Sequence, residues 1–561
     1  MPKVRSRLIV ASLLLLLVVN PLNAQRSAID TYAITNARIV TVSGPVIERG
    51  TVVIRNGLIA AAGANVNAPS DARVIDGAGL TVYPGLIDSY TNLALPDAAP
   101  SPAPGGGAGA FFLAQQTQAR PASGPNSTQP AGLQPEVMVE DVIRPGGNEI
   151  ESWRSAGVTA ALTSPRSGIW MGQSALINLS GETPQQMIVR SPVAMHVGFT
   201  PLRTGGYPGS LMGVFSSLRQ MMLDAQRYRD STEIYERNPR GTRRPETDRS
   251  LAALIPVLEG RMPVVMLANS EREINRALDL ASEFKLKLII AGGREADQVA
   301  GRLAKLNVPV LLSLNLPRRT TAAMPEADPE PLRVLRERVE AQQTAGKLAK
   351  AGVRFGFQSG SMQNISDLLV NANKTIENGL QPLDALRAFT IWPAEILGVK
   401  DQLGSIEAGK IANLTVTRGD LFDRNSRITH VFIDGRPVDL RPAPGGGGPM
   451  SVGQGRNTLA GAWTVVVNLG QGERTITLNL QQEGERITGS IAGPLGAGEI
   501  SNGSASNTGE VRFTVSVNVE GQTKEATFTG THANNQISGN VAIVGMQPGT
   551  FTATRSGQQP N

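Results

Sequence analysis

Histidine is the residue type that most restricts the chemistry open to this chain of 561 residues, which contains three histidines and no cysteine. A zinc-type ion is held tightly by three or four protein ligands, usually histidine, cysteine or carboxylate groups. His196, His430 and His532 fall in three different segments of the sequence. Histidine therefore does not supply a metal site by itself, and such a site would depend on carboxylates brought in by loops.

His196 belongs to residues 194–198, an apolar run with the sequence Ala-Met-His-Val-Gly. One interpretation is a general base at the open end of a strand, because imidazole exchanges a proton near neutral pH. The other is a buried structural histidine whose ring nitrogens are satisfied by hydrogen bonds. The sequence leaves both interpretations open.

The elements that would position such residues alternate between short apolar runs and amphipathic stretches from residue 136 to residue 399. This pattern is typical of a parallel sheet covered by helices on both faces. The apolar runs are residues 80–87, 157–162, 175–179, 192–197, 262–267, 287–290, 308–312 and 353–357. Since about eight parallel strands close a barrel, we predict an α/β fold with a (β/α)8 TIM-like barrel over residues 81–398.

Two segments rich in Gly and Pro interrupt this pattern. Residues 95–134 contain three consecutive glycines but no Lys-Ser/Thr pair and no helix start after them, which indicates a flexible insertion and not a phosphate-binding loop. Residues 441–457 contain four consecutive glycines and are predicted to form a linker.

A separate all-β module is predicted over residues 458–561. Alternating strand patterns recur there, and a short motif is repeated at residues 487–491 (Ile-Thr-Gly-Ser-Ile) and 537–541 (Ile-Ser-Gly-Asn-Val). Such units predict a meander that closes into a small barrel or sandwich. Trp463 precedes the first strand, and we interpret it as a core residue, with contact to a sugar or lipid as the alternative.

The N-terminus has the three parts of a secretory signal peptide. Lys3, Arg5 and Arg7 precede an apolar run over residues 8–19, and Ala24 offers a small residue for cleavage. We therefore predict a signal peptide over residues 1–24 and an exported protein, periplasmic or extracellular, with no stable membrane span after cleavage. Without cysteine the exported chain has no disulfide, so its stability must come from packing.

Charge and composition argue against nucleic-acid binding. The formal net charge is +6, and the densest basic run, residues 237–249, is broken up by Glu246 and Asp248. Aromatic residues make up only 4% of the chain, too few for a protein that stacks bases on aromatic side chains. No nucleic-acid partner is expected.

Residues 82–88, with the sequence Val-Tyr-Pro-Gly-Leu-Ile-Asp, resemble the opening strand of the amidohydrolase superfamily, especially its imidazolonepropionase-like and prolidase-like members. In that family the strand continues as Asp-x-His-x-His. Residues 383–390, 393–399 and 403–414 resemble the family's last barrel helices and its return to a small sheet. The resemblance extends over about residues 30 to 440. It implies the barrel and a composite β-sandwich built from residues 25–80 and 399–440.

The resemblance also implies metal-assisted hydrolysis of carbon–nitrogen bonds other than peptide bonds. Family members hold a divalent metal such as zinc at the barrel mouth, between the His-x-His pair, two later histidines and an aspartate of the last strand, and the ion activates water. In this sequence Tyr90 and Asn92 occupy the His-x-His positions and Leu267 the position of a later histidine. The last strand, residues 355–361, offers no acid. No metal cofactor is therefore expected.

Two functions remain open. The first is the family's hydrolase activity carried by a degenerate metal site, and the second is a non-catalytic relative that binds a small ligand or supports a catalytic relative. The expected partners are a small molecule and either a second copy of the chain or a related amidohydrolase. Tyr90 and Asn92 either line a ligand pocket or fill the vacated site, and Asp88 anchors the first strand. The candidate residues at the barrel mouth are Asp88, Tyr90, Asn92, His196, Leu267, Gln358 and Ser359.

Overall fold

The computed structural model divides the chain into two compact units, Met1–Arg441 and Pro442–Asn561. In the first unit it describes residues 31–96, 129–130, 132–202, 207–317, 331–360, 362 and 364–440. In the second it describes residues 459, 461–468, 473–483, 486–493, 496–505, 510–519, 522–533, 536–543 and 549–555. The predicted signal peptide, the linker and most of the predicted insertion lie outside the described residues.

A mixed sheet joins the two ends of the first unit. Its strands are β1 (Thr31–Ile39), β2 (Ile47–Arg55), β3 (Leu58–Gly63), β4 (Ala72–Asp76), β5 (Leu80–Pro84), β16 (Leu414–Arg418), β17 (Arg427–Ile433) and β18 (Arg436–Pro437). The strand order is β18-β17-β16-β5-β1-β2-β3, with β4 paired to β1. The Asn56–Gly57 turn between β2 and β3 has positive φ at both residues, as a two-residue hairpin requires.

Ten strands build the barrel part. They are β6 (Leu86–Thr91), β7 (Val158–Thr163), β8 (Trp170–Gln173), β9 (Ala175–Asn178), β10 (Ile188–Arg190), β11 (Met195–Val197), β12 (Val264–Ala268), β13 (Leu288–Gly292), β14 (Val310–Ser313) and β15 (Phe355–Gln358). They form two sheets, β10-β9-β7-β6 and β15-β14-β13-β12-β11-β8. The sheets are joined at two places, between the edge strands β6 and β15 and between the residue linking β8 to β9 and the residue before β11. Ser89 Oγ donates to the Phe357 carbonyl at 2.7 Å, and the Ser174 amide donates to the Ala194 carbonyl at 3.0 Å.

Strands β8 and β9 are antiparallel to their neighbours, although the sequence predicted a parallel strand here. Strands β6 and β7 are parallel, as are β11 to β15, but β8 is antiparallel to β11 and β9 is antiparallel to β7. The sequence predicted residues 175–179 as a parallel strand. No helix separates β7 from β8, and a parallel return needs a long crossover, so the chain turns back as an antiparallel strand instead.

Helices cover the outer side of the barrel strands. They are α1 (Asn148–Ser155), α2 (Pro184–Met187), α3 (Leu211–Arg237), α4 (Arg249–Leu258), α5 (Glu271–Phe284), α6 (Ala300–Lys305), α7 (Leu332–Lys350), α8 (Asp367–Glu377), α9 (Pro382–Phe389) and α10 (Ile391–Ile396). Helix α5 illustrates the local rules. Ser270 and Glu273 form a capping box at its start, and Ile274, Leu278 and Ala281 bury one face at helical spacing.

The second unit is a closed barrel of eight antiparallel strands. This confirms the predicted all-β module and shows that it is a barrel and not a sandwich. The strands are β19 (Gly461–Asn468), β20 (Glu473–Glu483), β21 (Arg486–Gly493), β22 (Gly496–Ala505), β23 (Glu510–Val519), β24 (Gln522–Ala533), β25 (Gln536–Ile543) and β26 (Gly549–Arg555). Its interior is filled by apolar side chains, as expected for a barrel of this size. Trp463 is fully buried among them and donates to the Leu459 carbonyl, as a core residue would.

The repeated motif of this module marks two places where strands pass very close to each other. A Cβ atom on Gly489 would overlap the carbonyl oxygen of Asn479, and one on Gly539 would overlap the carbonyl oxygen of Thr529. The central glycine of each motif is therefore required by sterics. Among the residues that the structure describes, no helix is long and apolar enough to span a membrane.

Candidate functional site

The inner and outer faces of the barrel strands can be separated by the buried cluster that each side chain joins. On β12, Val265 packs in the inner cluster, whereas Val264 and Met266 pack in the outer cluster beneath the helices. On β11, Met195 and Val197 belong to the outer cluster. Because side chains alternate along a strand, His196 points into the barrel.

Asp88 lies in the middle of β6 and is almost fully buried. Its Oδ1 accepts hydrogen bonds from the Ser359 amide at 3.0 Å and the Tyr90 amide at 3.4 Å, and its Oδ2 accepts one from Trp153 Nε1 at 3.0 Å. Burial raises the pKa of the Asp88 carboxyl, while the donors from Ser359, Trp153 and Tyr90 oppose the rise. The carboxyl thus ties β6 to the end of β15 and to α1, which is the anchoring role expected from the sequence.

Tyr90 and Asn92 both bond to Ser164, just beyond the end of β7. Asn92 Nδ2 donates to the Ser164 carbonyl at 2.7 Å and to its Oγ at 3.3 Å, and Tyr90 is hydrogen-bonded to the same side chain. Ser164 in turn donates through its amide and its hydroxyl to the Thr91 carbonyl, at 2.9 and 3.1 Å. The two positions that would carry the His-x-His pair therefore form a polar cross-link between β6 and β7.

His196 is fully buried, and neither of its ring nitrogens has a hydrogen-bond partner among the described residues. The Tyr90 ring lies 5.6 Å from the imidazole, centroid to centroid, at an angle of 48°. Burial lowers the pKa of His196 to about 3, so the ring is neutral at physiological pH. The described residues therefore do not supply the hydrogen bonds that a satisfied structural histidine would make.

The three remaining candidates are separated by the fold. Leu267 is partly buried and packs against the inner cluster at the end of β12. Gln358 donates through Nε2 to the Leu311 carbonyl at 2.8 Å, which links β15 to β14 across the inner face. Ser359 bonds to Asp88 and so belongs to the anchor of β6. The mouth thus combines Tyr90, His196, Leu267 and Gln358, while Asp88 and Ser359 form a structural pair beside it.

A divalent ion of the kind that the resemblance implies does not fit these side chains. Among the candidates only Asp88 and His196 are common metal ligands, and the Asp88 oxygens already accept three N–H bonds. Across the described ranges of the chain, no group of three or more His, Cys, Asp and Glu residues is placed to hold an ion.

Two contributors to this site were missed in the sequence. Trp153 gave no signal, because α1 comes more than sixty positions after Asp88 and only the fold brings its indole to that carboxyl. Ser164 was within reach, because it directly follows a predicted strand, and the C-terminal ends of parallel strands meet at one face of a barrel.

A surface cavity of about 570 Å³ lies apart from these residues, between residues 294–298 and the first half of α7. Three of the seven charged residues that line it form ion pairs. Arg294 bonds to Glu337 at 2.6 Å, and Asp297 bonds to Lys347 at 2.8 Å. None of the predicted candidates lines it.

The comparisons with known proteins agree with this fold. Residues 326–438 match the Amidohydrolase family. The chain is 41% identical over 61 residues to an enamidase from Eubacterium barkeri, a match that covers 10% of this chain and only 16% of the enamidase. An amidohydrolase from Thermotoga maritima MSB8 is similar in structure, with a TM-score of 0.60 and 26% identity, over 73% of this chain and 100% of that chain. By the match over residues 326–438 and by this structural neighbour, the first unit is similar to amidohydrolases.

Proposed function

We propose that the first unit is an amidohydrolase relative with a degenerate metal site, whose barrel mouth binds a small molecule without a divalent ion. One observation carries the proposal. Tyr90 and Asn92 are both engaged with Ser164, and Asp88 is held by three N–H donors, so the end of β6 is stabilised by hydrogen bonds instead of ligating a cation.

The neighbouring strands support the same proposal. The inner face next to His196 is apolar, with Val265 paired directly beside it and Leu267 towards the mouth. Asp88 and His196 are the only acid and the only base among the buried residues that the structure describes. Activation of water at neutral pH by a metal would need several further ligands at this place.

We expect the purified protein to contain far less than one zinc, manganese or iron ion per chain after expression with these metals and extensive dialysis. Elemental analysis measures this directly. The matched variant carries Tyr90→His and Asn92→His, and we expect it to stay below one ion per chain as well, because Leu267 and the last strand still offer no ligand. A stoichiometric ion in the unmodified protein would refute the degenerate site.

The second candidate function is hydrolysis of carbon–nitrogen bonds other than peptide bonds. The match of residues 326–438 to the Amidohydrolase family and the segment shared with an enamidase favour it. Small amides, cyclic amides and acyl dipeptides are the substrates to assay on the same preparation. Turnover at about 1 s⁻¹ or faster, which is ordinary for enzymes, would decide for this candidate.

We also propose that the chain is exported. Lys3, Arg5 and Arg7 before an apolar run, with a small residue at position 24, support cleavage there. The intact mass of the protein recovered outside the cytoplasm should then correspond to a chain that begins at Gln25. A mass that still includes residues 1–24 would contradict cleavage. Pairing with a second copy or with a related amidohydrolase stays a prediction.

A further inference from the structure

The surface cavity between residues 294–298 and the first half of α7 has no part in the proposed function. Its volume of about 570 Å³ lies within the range of roughly 300–1,000 Å³ that is usual for small-molecule sites. Of its ten lining residues, seven are charged, and Leu332 and Ala341 are the two apolar ones. A polar, charged molecule therefore fits this lining better than an apolar one.

Ion pairs and a hydrogen bond fix the two walls of the cavity relative to each other. Arg294 Nη1 lies 2.6 Å from Glu337 Oε1, and Lys347 Nζ lies 2.8 Å from Asp297 Oδ2. The buried Thr344 also donates through Oγ1 to the Arg294 carbonyl at 3.3 Å. The walls are therefore held by contacts within the protein, which lowers the entropy cost of binding a ligand between them.

The acidic side chains of the lining are mostly engaged. The two ion pairs use two of the four acids, and the Glu295 carboxylate accepts a hydrogen bond from the Glu271 amide at 2.7 Å. Glu340 is the fourth, and no other described residue forms an ion pair with it. The acids that remain for a ligand therefore amount to one carboxylate.

Arg333 and Arg336 are the two cations of the lining that the protein leaves without a counter-charge. Both are exposed, and no carboxylate in the described part of the chain lies within ion-pairing distance of either. Glu337 is four positions after Arg333, the usual spacing of a helical ion pair, but it pairs across the cavity with Arg294 instead. Residues three positions apart are neighbours on a helix, so the two guanidinium groups can reach the same anion.

We propose that this cavity binds a small phosphate monoester, whose phosphate group is held between Arg333 and Arg336. The phosphate carries about two negative charges at neutral pH, and its oxygens accept charge-assisted hydrogen bonds from both guanidinium groups. A carboxylate carries one charge and would leave one arginine uncompensated beside the other. Glu340, one turn after Arg336, would repel a second anionic group and accept a hydroxyl from the organic part of the ester. The inference does not depend on the proposed function, because no candidate residue of the barrel mouth lines the cavity.

The test is isothermal titration calorimetry on the full-length protein at neutral pH and constant ionic strength, with methyl phosphate as the probe. The matched probe is methyl sulfate, which has the same tetrahedral shape but one negative charge. We expect saturable binding of methyl phosphate at one site per chain and about tenfold weaker binding of methyl sulfate, because one charge-assisted hydrogen bond is lost or weakened. Equal binding of the two probes, or no saturable binding of methyl phosphate, would overturn the inference.

A pair of double variants separates this site from a general attraction of anions to the protein. Arg333→Gln with Arg336→Gln should weaken the binding of methyl phosphate by about tenfold or more, since both charged donors are removed. The matched control is Arg272→Gln with Arg276→Gln, which removes the same charge from exposed positions of α5 that do not line the cavity. The control should bind as tightly as the unmodified protein, and an equal loss in both double variants would overturn the inference.

Conservative variants keep the test decisive if the glutamine variant folds poorly. Arg333→Lys with Arg336→Lys retains both charges but loses the planar fork that bonds to two phosphate oxygens at once, so it should bind more weakly than the unmodified protein. Glu340→Gln removes the remaining carboxylate of the lining and should strengthen binding. Lysine and Glu340→Gln variants that both bind like the unmodified protein would show that the probe does not enter this cavity.

Discussion

Replacement of Asp88 with alanine should lower the free energy of unfolding of the first unit by about 3 kcal/mol or more, because three N–H donors lose their acceptor. The donors are the amides of Ser359 and Tyr90, which are buried residues, and the indole of Trp153, which is partly buried. Each unpaired buried donor costs about 1–3 kcal/mol, so the loss of this acceptor is a large part of the stability of a domain.

Asp88→Asn should cost less than Asp88→Ala, since the amide keeps the shape of the side chain and one acceptor oxygen. Urea unfolding followed by tryptophan fluorescence measures both, since Trp153, Trp170 and Trp392 lie in the first unit. The matched control is Asp71→Ala, because Asp71 pairs with Arg55 on the surface and should change stability by about 1 kcal/mol at most. Equal effects of Asp88→Ala and Asp71→Ala would show that Asp88 anchors nothing.

The C-terminal barrel should lose about 2 kcal/mol or more of stability when either central glycine of its repeated motif is changed to alanine. The new methyl group of Gly489→Ala would overlap the Asn479 carbonyl, and that of Gly539→Ala would overlap the carbonyl of Thr529. Gly489 also has a φ of 148°, a conformation that other residues rarely adopt. The strands would have to separate to make room, and the backbone hydrogen bonds between them would weaken.

Hydrogen exchange of peptides from β20–β21 and β24–β25 measures this loosening in the full chain. Ser490→Ala and Ser538→Ala are matched controls, since both residues belong to the same motifs and are exposed, so they should leave exchange unchanged. Glycine variants that exchange as slowly as these controls would mean that the strands have more room than the structure shows.

The sequence predicted the parts of the fold that depend on local pattern. The alternating runs of the last module were found because period-two burial is visible in the sequence, whereas the fully buried strand that contains Asp88 was found as a continuous apolar run. The reversed strand formed by β8 and β9 was not found, because a short buried apolar run looks the same in either direction. The direction of this strand could be inferred only from the short connection between β7 and Trp170, which is too short for a crossover helix.

The contacts within the candidate site were even harder to predict from the sequence than the direction of that strand. Tyr90 and Asn92 were placed correctly on the first barrel strand by a motif, but their common partner Ser164 is more than seventy positions away from each. The sequence could not show that the ring nitrogens of His196 lack partners among the described residues. That depends on which donor and acceptor groups the neighbouring strands place beside the ring. A sequence pattern can indicate which residues are polar and buried, but not whether their hydrogen bonds are made.

The sheet that unites both ends of the first unit also sets the order in which the chain can fold. Strand β5 lies between β1 and β16 in this sheet, and Arg38 bonds to Asp420 across 382 positions of sequence. Contacts this remote form slowly, because a very long loop must close before any of them is gained. The N-terminal strands must therefore wait with an open hydrogen-bonding edge until the whole barrel segment has been synthesised. A chain shortened before Leu414 would keep that edge open permanently and would tend to aggregate.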